Sequence, residues 1–375
     1  MAGTGPVGVG FIGAGMISNT YLENLTSFPD VRVVIVGDLD TQRAADQAHK
    51  HGIAESGSPD DVLAHPEVEL VVNLTIPAAH VPVSSAAIAA GKHVWSEKPI
   101  GIDRAEALRL LEQADAAGLR VGIAPDTVLG PGLQTARRAI ARGDIGTPLS
   151  AQTSMQYIGP DVFHPSPEFL FARGGGPLLD MGPYYVTALV HLFGPVADVA
   201  AVGVQGRATR TIQVGDRVGT SFPVEVPTLV QAIARFEKGA TSQSVFSFDS
   251  PLTRMGLVEI TGTEGTLVVP DPNTFGGQVR ITRGAAPDSP TREPLWHDVP
   301  AVGVEAGRGL GALDMARAIR SGDRHIATGE LGYHVLDTLT AIEESVVAGA
   351  FVAVESTVDE VPMVPEDRDP FAATL

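Results

Sequence analysis

The sequence has no cysteine, which removes disulfides, thiolate metal sites and thiol nucleophiles from the available chemistry. It has no apolar run of about 18 residues, so no membrane-spanning helix is expected. The first residues show no basic segment leading into an apolar one, so no secretory leader is expected and a cytoplasmic protein is. Positive charge is scarce: Lys and Arg number 26 against 44 Asp and Glu, a formal net charge of −18. Nucleic acids and anionic membranes are bound by clustered cations, so neither partner is expected. The only lysines are Lys50, Lys92, Lys98 and Lys238, and each asks for a reason. No His, Asp and Glu cluster has metal-ligand spacing, so no metal is expected.

What is present is length and apolar content. A chain of 375 residues, 44% of them hydrophobic, is enough for two cores. Through the first third, apolar, β-branched runs at 7–12, 31–36, 68–74, 93–96 and 120–124 alternate with helical segments. The helix over 41–51 closes at Gly52. Ser58, Pro59 and Asp61 give an N-cap, an N1 proline and a capping-box partner. Residues 81–90 read as a helix ended by Gly91. Asp103 caps a further helix, with Glu106 at N3 and Gly118 just past its end. Such alternation predicts βαβ units and a parallel sheet. One more helix spans 131–143, with Leu133, Ala136 and Ile140 on one face. From Pro148 the strands lengthen and alternate. Residues 228–236 and 241–248 flank Glu237-Lys238-Gly239-Ala240, and 257–261 and 266–269 flank Gly262-Thr263-Glu264-Gly265; both read as hairpins. Residues 284–300, rich in Pro, Ser and Asp, read as a loop, and 310–321 and 332–348 as closing helices.

Val9-Gly10-Phe11-Ile12-Gly13-Ala14-Gly15-Met16-Ile17-Ser18 carries a strand into a G-x-G-x-x-S turn. Gly13 permits the tight turn, and Gly15 lets a pyrophosphate approach the backbone. Met16 and Ile17 lead into a helix whose free N–H groups meet the phosphates. Ser18 replaces the third glycine and is small enough for close helix–strand packing. The second strand ends Val36-Gly37-Asp38, about 20 residues further on, as the dinucleotide fingerprint requires. A carboxylate there accepts from both ribose hydroxyls and repels a 2′-phosphate, which favours NAD over NADP. Arg43 works the other way, as a cation within reach of such a phosphate. The alternative is a Rossmann-like domain that binds nothing. A second cluster, Gly307-Arg308-Gly309-Leu310-Gly311, follows no strand and reads as loop. The expected fold is an α/β Rossmann domain with a parallel sheet over 1–125. An α+β domain with a large, mostly antiparallel sheet and closing C-terminal helices follows over 126–375, for substrate and for oligomerisation.

Glu97-Lys98-Pro99 follows the strand at 93–96, at the carboxyl end of a parallel sheet where ligands bind. A lysine there donates to a substrate hydroxyl or lowers the pKa of a neighbouring acid; a surface ion pair between Glu97 and Lys98 is the plainer reading. Gly91-Lys92-His93-Val94-Trp95-Ser96-Glu97-Lys98-Pro99 resembles the G-K-H-V-x-x-E-K-P signature of the Gfo/Idh/MocA oxidoreductase family. The resemblance runs nearly the whole length. Gly13-Ala14-Gly15 and Asp38 match the family's cofactor site, and Thr75-Ile76-Pro77 with His80 its loop after the third long strand. Arg142-Gly143-Asp144-Ile145-Gly146 is similar to its domain-junction turn, and Gly262-Thr263-Glu264-Gly265-Thr266 to its sheet hairpin. Gly175-Gly176-Pro177-Leu178-Leu179-Asp180-Met181-Gly182-Pro183-Tyr184 resembles its G-G-x-L-x-D-x-G-x-H segment, with Tyr184 at the histidine, as in the Tyr-containing branch. The resemblance implies NAD held by Gly13, Gly15, Met16, Ile17, Asp38, Thr75, Pro77, His80, Glu97 and Lys98, and catalysis by Lys98, Tyr184 and Asp180.

Asp180 and Tyr184 are one helical turn apart and share a face. A phenol titrating near ~10 is a poor base at neutral pH, and the Lys98 ammonium would favour its phenolate. Asp180 would orient the substrate or share its proton. Core packing of Tyr184 and a helix cap at Asp180 are the plainer readings. Asp126-Thr127 stands where many family members have Asn-Arg, which puts negative charge near the expected substrate pocket. Tyr157, Arg173 and His164, in the loop Phe163-His164-Pro165-Ser166-Pro167, complete the candidate substrate ligands with Asp126. The resemblance implies an NAD-dependent oxidoreductase acting at a carbinol carbon of a sugar, glycoside or cyclitol. One alternative is a redox-neutral NAD-dependent glycoside hydrolase working by transient oxidation, elimination, hydration and reduction. Another is a non-catalytic NAD-bound sensor, against which the presence of both Lys98 and Tyr184 speaks. Apolar residues on both faces of 228–248, such as Leu229, Ile233, Val245 and Phe246, together with family habit, predict a homodimer or homotetramer through the exposed sheet face.

Overall fold

The apolar run Val7–Ile12 forms strand β1 with every residue buried. The computed structural model describes residues 4–287 and 290–375. After β1 come α1 (Ser18–Leu25), β2 (Val31–Gly37), α2 (Thr41–Lys50), β3 (Glu55–Gly57), α3 (Pro59–Ala64) and β4 (Leu70–Asn73). Then follow α4 (Pro77–Ala89), β5 (His93–Ser96), α5 (Arg104–Ala117) and β6 (Val121–Ile123). These six strands are all parallel, in the order β3-β2-β1-β4-β5-β6. The order reverses between β1 and β4, and ligands of open α/β sheets bind beyond the strand ends at such a switch point. The caps are as the sequence leads one to expect. Ser58 and Asp61 form a capping box, the Asp103 carboxylate accepts from the Glu106 N–H, and Gly118 ends α5 in the left-handed region. Helix α4 starts four residues earlier than the expected 81, because Pro77 takes the N1 position that suits its fixed φ.

The chain continues through α6 (Pro131–Ala141), β7 (Pro148–Gln156), α7 (Gly176–Phe193), β8 (Val196–Val204), β9 (Thr209–Thr211) and β10 (Ser221–Pro223). It goes on through β11 (Leu229–Phe236), β12 (Thr241–Ser247), β13 (Arg254–Gly262), β14 (Thr266–Val269), β15 (Val279–Thr282) and β16 (Trp296–Val299). Helices α8 (Leu310–Ser321) and α9 (Gly329–Ala348) and the short β17 (Val352–Ala353) end it. Among the described residues nine strands form one sheet, β16-β15-β14-β13-β7-β12-β11-β8-β17, and β9 with β10 form a separate hairpin. Of the strand pairs described in the large sheet, only β7 and β12 run parallel. Helix α7 covers one face, against β7, β11 and β12. On β8 and β11 the other face leaves Val202, Val204 and Ile233 exposed.

Two expectations are corrected. The segment 284–300, read as a loop, contains β16, which pairs with β15; four residues with two polar ones at the centre carry too little pattern to be seen. Asp288 and Ser289 of that segment lie outside the described residues. The chain also divides differently from 125/126. The first compact unit is the chain up to Gly130 with Gly303–Tyr333 and Pro362–Leu375; the second is Pro131–Val302 with His334–Val361. Helix α8 belongs to the first unit because its contacts are there. Arg317 Nε donates to Asp30 Oδ2 at 2.7 Å, and Arg320 holds both Glu69 carboxylate oxygens at 2.6 and 2.8 Å. Gly311 lies so close to Trp95 that a Cβ would come within 2.0 Å of the ring.

Candidate active site

The glycine turn after β1 is open where a ligand would need it open. Gly13 has φ +106°, and a Cβ there would lie 2.7 Å from the Leu74 carbonyl, so only glycine serves. A Cβ at Gly15 would meet nothing within 4 Å. Ser18 is fully buried and donates to the Gly15 carbonyl at 2.7 Å, which fixes the turn from beneath. Among the described residues no side chain caps the start of α1; the Ser18 N–H donates to Gly15 O at 3.1 Å, which leaves an anion to the other N–H groups of this end. Met16, Leu39 and Ile76 are exposed by 76, 92 and 59%. Three apolar side chains standing in water at this sheet edge fit a site that a dinucleotide covers.

Asp38 sits just past the end of β2. Its Oδ2 accepts from the Ala14 N–H at 2.7 Å and Arg43 Nε at 3.3 Å, and its Oδ1 from the Asp40 N–H at 2.9 Å and Arg43 Nη2 at 2.5 Å. Burial alone would raise its pKa; the bond from Arg43 and the two N–H groups outweigh this and hold it below the usual carboxylate range. The group is therefore an anion at neutral pH. Arg43, expected from sequence as a cation within reach of a 2′-phosphate, pairs here with Asp38.

The loops after β4 and β5 are tied to each other. Asn73 donates to the His80 carbonyl at 3.0 Å and accepts from the Thr75 N–H and hydroxyl at 3.2 and 2.7 Å. His80 is buried between two carbonyls, with Nδ1 2.6 Å from Pro99 O and Nε2 3.1 Å from Thr75 O. Burial lowers its pKa, so the ring is neutral and its single N–H bonds one of the two carbonyls at a time. The ring thus lies between Thr75 and the Lys98–Pro99 turn. Glu97 is likewise turned inward: Oε1 accepts from the Tyr21 hydroxyl at 2.8 Å and Oε2 from the Lys98 N–H at 3.1 Å. Its carboxylate shapes the turn that presents the half-buried Lys98. Tyr21 was not singled out in the sequence; nothing local connects it with Glu97.

Asp126 is corrected outright. It is fully buried, and its Oδ2 accepts from the N–H groups of Gly309 at 2.8 Å and Gly311 at 3.1 Å, anchoring the start of α8. Burial pushes its pKa up to about 6, against the pull of Arg308 and the two N–H groups. A carboxylate with no surface cannot be the substrate ligand expected from its place in the sequence. The Gly307–Gly311 cluster, read as plain loop, is its receptor.

In the second unit α7 carries the half-buried Asp180 and, one turn on, the buried Tyr184. Tyr157 follows β7. Burial raises its pKa far above the ordinary phenol range, and the carboxylates of Asp180 and Asp161 add to the rise while Arg210 opposes it. Tyr157 is thus a neutral hydroxyl within electrostatic reach of Asp180. His164 Nδ1 lies 3.0 Å from the Ser166 N–H, and the ring meets Phe169 edge-on at 5.5 Å, so it is tied into its own loop. Arg173 is exposed on the approach to α7. Among the described residues no group of three or more His, Cys, Asp or Glu is placed to hold a metal, and no helix is long and apolar enough to cross a membrane.

Residues 7–124 match the family model described as an oxidoreductase family, NAD-binding Rossmann fold, and residues 133–268 match the GFO/IDH/MocA C-terminal domain. The chain belongs to the Gfo/Idh/MocA oxidoreductase family, and its first unit is an NAD-binding Rossmann domain. It is 31% identical over 188 residues to trans-1,2-dihydrobenzene-1,2-diol dehydrogenase of Mus musculus, a match covering 49% of this chain and 56% of that protein. The chain thus spans little more than half the length of that relative. It shares its fold with an NAD-binding oxidoreductase from Klebsiella pneumoniae, at 24% identity and TM-score 0.79 over 93% of this chain and 99% of that one. It also shares it with levoglucosan dehydrogenase in complex with NADH and L-sorbose, at 21% identity and TM-score 0.80 over 94 and 100%.

Proposed function

We propose that the protein is an NAD-dependent dehydrogenase or reductase acting at a carbinol carbon of a sugar, glycoside or cyclitol. The observation that carries this reading is the set of hydroxyl-directed groups in the second unit: the Asp180 carboxylate, the Tyr184 phenol on the same helix, and the neutral Tyr157 phenol in the field of Asp180. Relatives named as dehydrogenases of a dihydrodiol and of levoglucosan support a polyol substrate.

NAD, when bound, supplies the nicotinamide that accepts or returns hydride. Gly13, Gly15 and the start of α1 receive its phosphates, and the Asp38 anion its ribose hydroxyls, which favours NAD over NADP. Asp180 accepts from one substrate hydroxyl and Tyr157 donates to another, so the polyol is oriented by one acceptor and one donor. In the second unit Tyr184 takes or returns the proton of the reacting hydroxyl; in the first, Lys98 is the lysine of the family signature after β5. The redox-neutral hydrolase reading needs a further acid/base pair from Asp126, His164 and Asp180, and burial withdraws Asp126 from that set. The exposed sheet residues Val202, Val204 and Ile233 support association of copies through that face; light scattering at micromolar concentration tests it, and a monomer would contradict it.

The decisive experiment is NADH formation by the full chain from NAD and a panel of polyols, with Tyr184→Phe as control. Turnover by the wild type that the variant largely loses is the expected result; no NADH from any polyol would overturn the reading.

A further inference from the structure

We propose that Arg210 is a positioning residue for the substrate: its guanidinium ties the segment following β7 to the end of β12 and so fixes the direction of the Tyr157 phenol. The proposal rests on the polyol reading above, in which Tyr157 and Asp180 hold the substrate.

Strands β7 and β12 run parallel, and Tyr157 stands at their common end, its N–H donating to Ser247 O at 3.0 Å. The Tyr157 carbonyl in turn accepts from the Ser250 N–H at 3.2 Å, and Arg210, on the β9 strand of the small hairpin, bonds both segments. Its Nη1 donates to Ile158 O at 2.8 Å and Asp161 Oδ1 at 3.1 Å. Its Nη2 donates to Phe248 O at 2.5 Å and Asp249 Oδ1 at 2.6 Å. Two bonds go to each segment, so the guanidinium is the rivet between them. The guanidinium also lies 5.2 Å over the Phe171 ring. Phe248, whose carbonyl Arg210 holds, meets the Tyr157 ring edge-on at 5.2 Å and the Phe171 ring at 5.7 Å. The orientation of Tyr157 therefore passes through Phe248 to Arg210.

The tie is built closely. Gly159, between the two residues Arg210 holds, has φ +112°, and a Cβ there would lie 2.7 Å from Asp161 Oδ1 and 3.1 Å from Arg210 Nη1. Asp249 is held in turn by the Thr228 hydroxyl. The Arg210 and Asp161 side chains are 2 and 3% exposed. A buried ionic cluster is a poor device for stability alone, since well-packed apolar residues of the same volume hold a fold as firmly. What a planar guanidinium adds is direction, because its fork fixes two carbonyls and two carboxylates at set angles. A lysine ammonium, a point charge on a flexible stem, cannot do so.

The test uses the full chain with levoglucosan, D-glucose and myo-inositol as probe polyols, and three variants: Arg210→Lys, Gly159→Ala and Tyr157→Phe. NADH affinity is read by fluorescence titration, turnover by steady-state kinetics, and local order by amide hydrogen exchange. In Arg210→Lys we expect KM to rise about tenfold with kcat changed less than about threefold, as for lost ground-state positioning, and NADH affinity to stay within about twofold. Exchange should rise about tenfold over residues 157–163 and stay unchanged in β7 and β12. Gly159→Ala should reproduce both effects, and it decides the matter should Arg210→Lys fail to fold. Tyr157→Phe should raise KM without altering exchange. Unchanged exchange over 157–163, unchanged KM on a polyol the wild type oxidises, or exchange rising equally throughout β7 and β12 would each overturn the proposal. If the wild type oxidises none of the polyols, the polyol reading fails by itself, and exchange alone then decides for or against Arg210.

Discussion

The two units build their candidate sites from different material. In the first, the ligand-facing groups are largely main chain: the bare turn at Gly13 and Gly15, the uncapped start of α1, and Asp38 set directly by the end of β2. In the second, the groups are side chains, and at least one of them owes its direction to other side chains, Tyr157 through Phe248 to Arg210. A main-chain cradle admits few changes, because a Cβ at Gly13 meets a carbonyl. A side-chain site can be retuned one residue at a time. The difference teaches that cofactor binding and substrate handling should separate cleanly under mutation.

The largest separation is expected at Tyr184. Tyr184→Phe keeps the ring and removes the titrating hydroxyl, which should lower kcat by about 10²–10⁴ while NADH affinity stays within about twofold. Near-normal turnover in the variant would break the comparison and turn attention to His164. Lys98→Ala, by contrast, should cost more in turnover than in cofactor affinity.

Asp126 sharpens the comparison from the scaffold side. Its pKa stands at about 6 in the folded protein and near ~4 when unfolded. Its contribution to stability is thus fully present below about pH 4 and is lost as pH rises through about 6, a change of about 3 kcal/mol at most. Asp126→Asn removes this titration, so the stability of the variant relative to wild type should climb between pH 4 and 7 in denaturant melts. Parallel curves with an altered KM would instead return Asp126 to the substrate. His191 works in the opposite direction. Burial, with Arg137 and Arg138, lowers its pKa to about 3. Its contribution is present above about pH 6.5 and is lost as pH falls towards 3.

A smaller effect is expected at Asp38. Asp38→Ala should weaken NADH binding by about 1.5–3 kcal/mol, the range for hydrogen bonds to a charged group, and narrow the preference over NADPH. Equal or tighter binding of NADPH by the unaltered protein would contradict the role given to Asp38 and point to Arg43.

These differences also explain what could be read from the sequence. The Gly13–Asp38 cradle lies within one βαβ unit, so spacing alone reveals it. Lys98 was legible because it directly follows a strand in a recognisable signature. The burial of Asp126 was not, because its partners Gly309 and Gly311 stand 183 and 185 residues further on. Arg210 is equally silent, since Asp161 and Asp249 lie 49 and 39 residues from it on either side. Local periodicity shows that α8 is a helix but not that it returns to the first unit. The parallel pairing of β7 and β12 is hidden in the same way, by the long excursion between them.

Transfer of hydride from a carbinol carbon to NAD is tested most directly with a polyol deuterated at that carbon. The account predicts that NADH accumulates in step with oxidised product, carries the deuterium on its nicotinamide ring, and forms more slowly than from the protiated polyol. Release of an aglycone from a glycoside without accumulating NADH, with solvent deuterium entering the sugar, would contradict it.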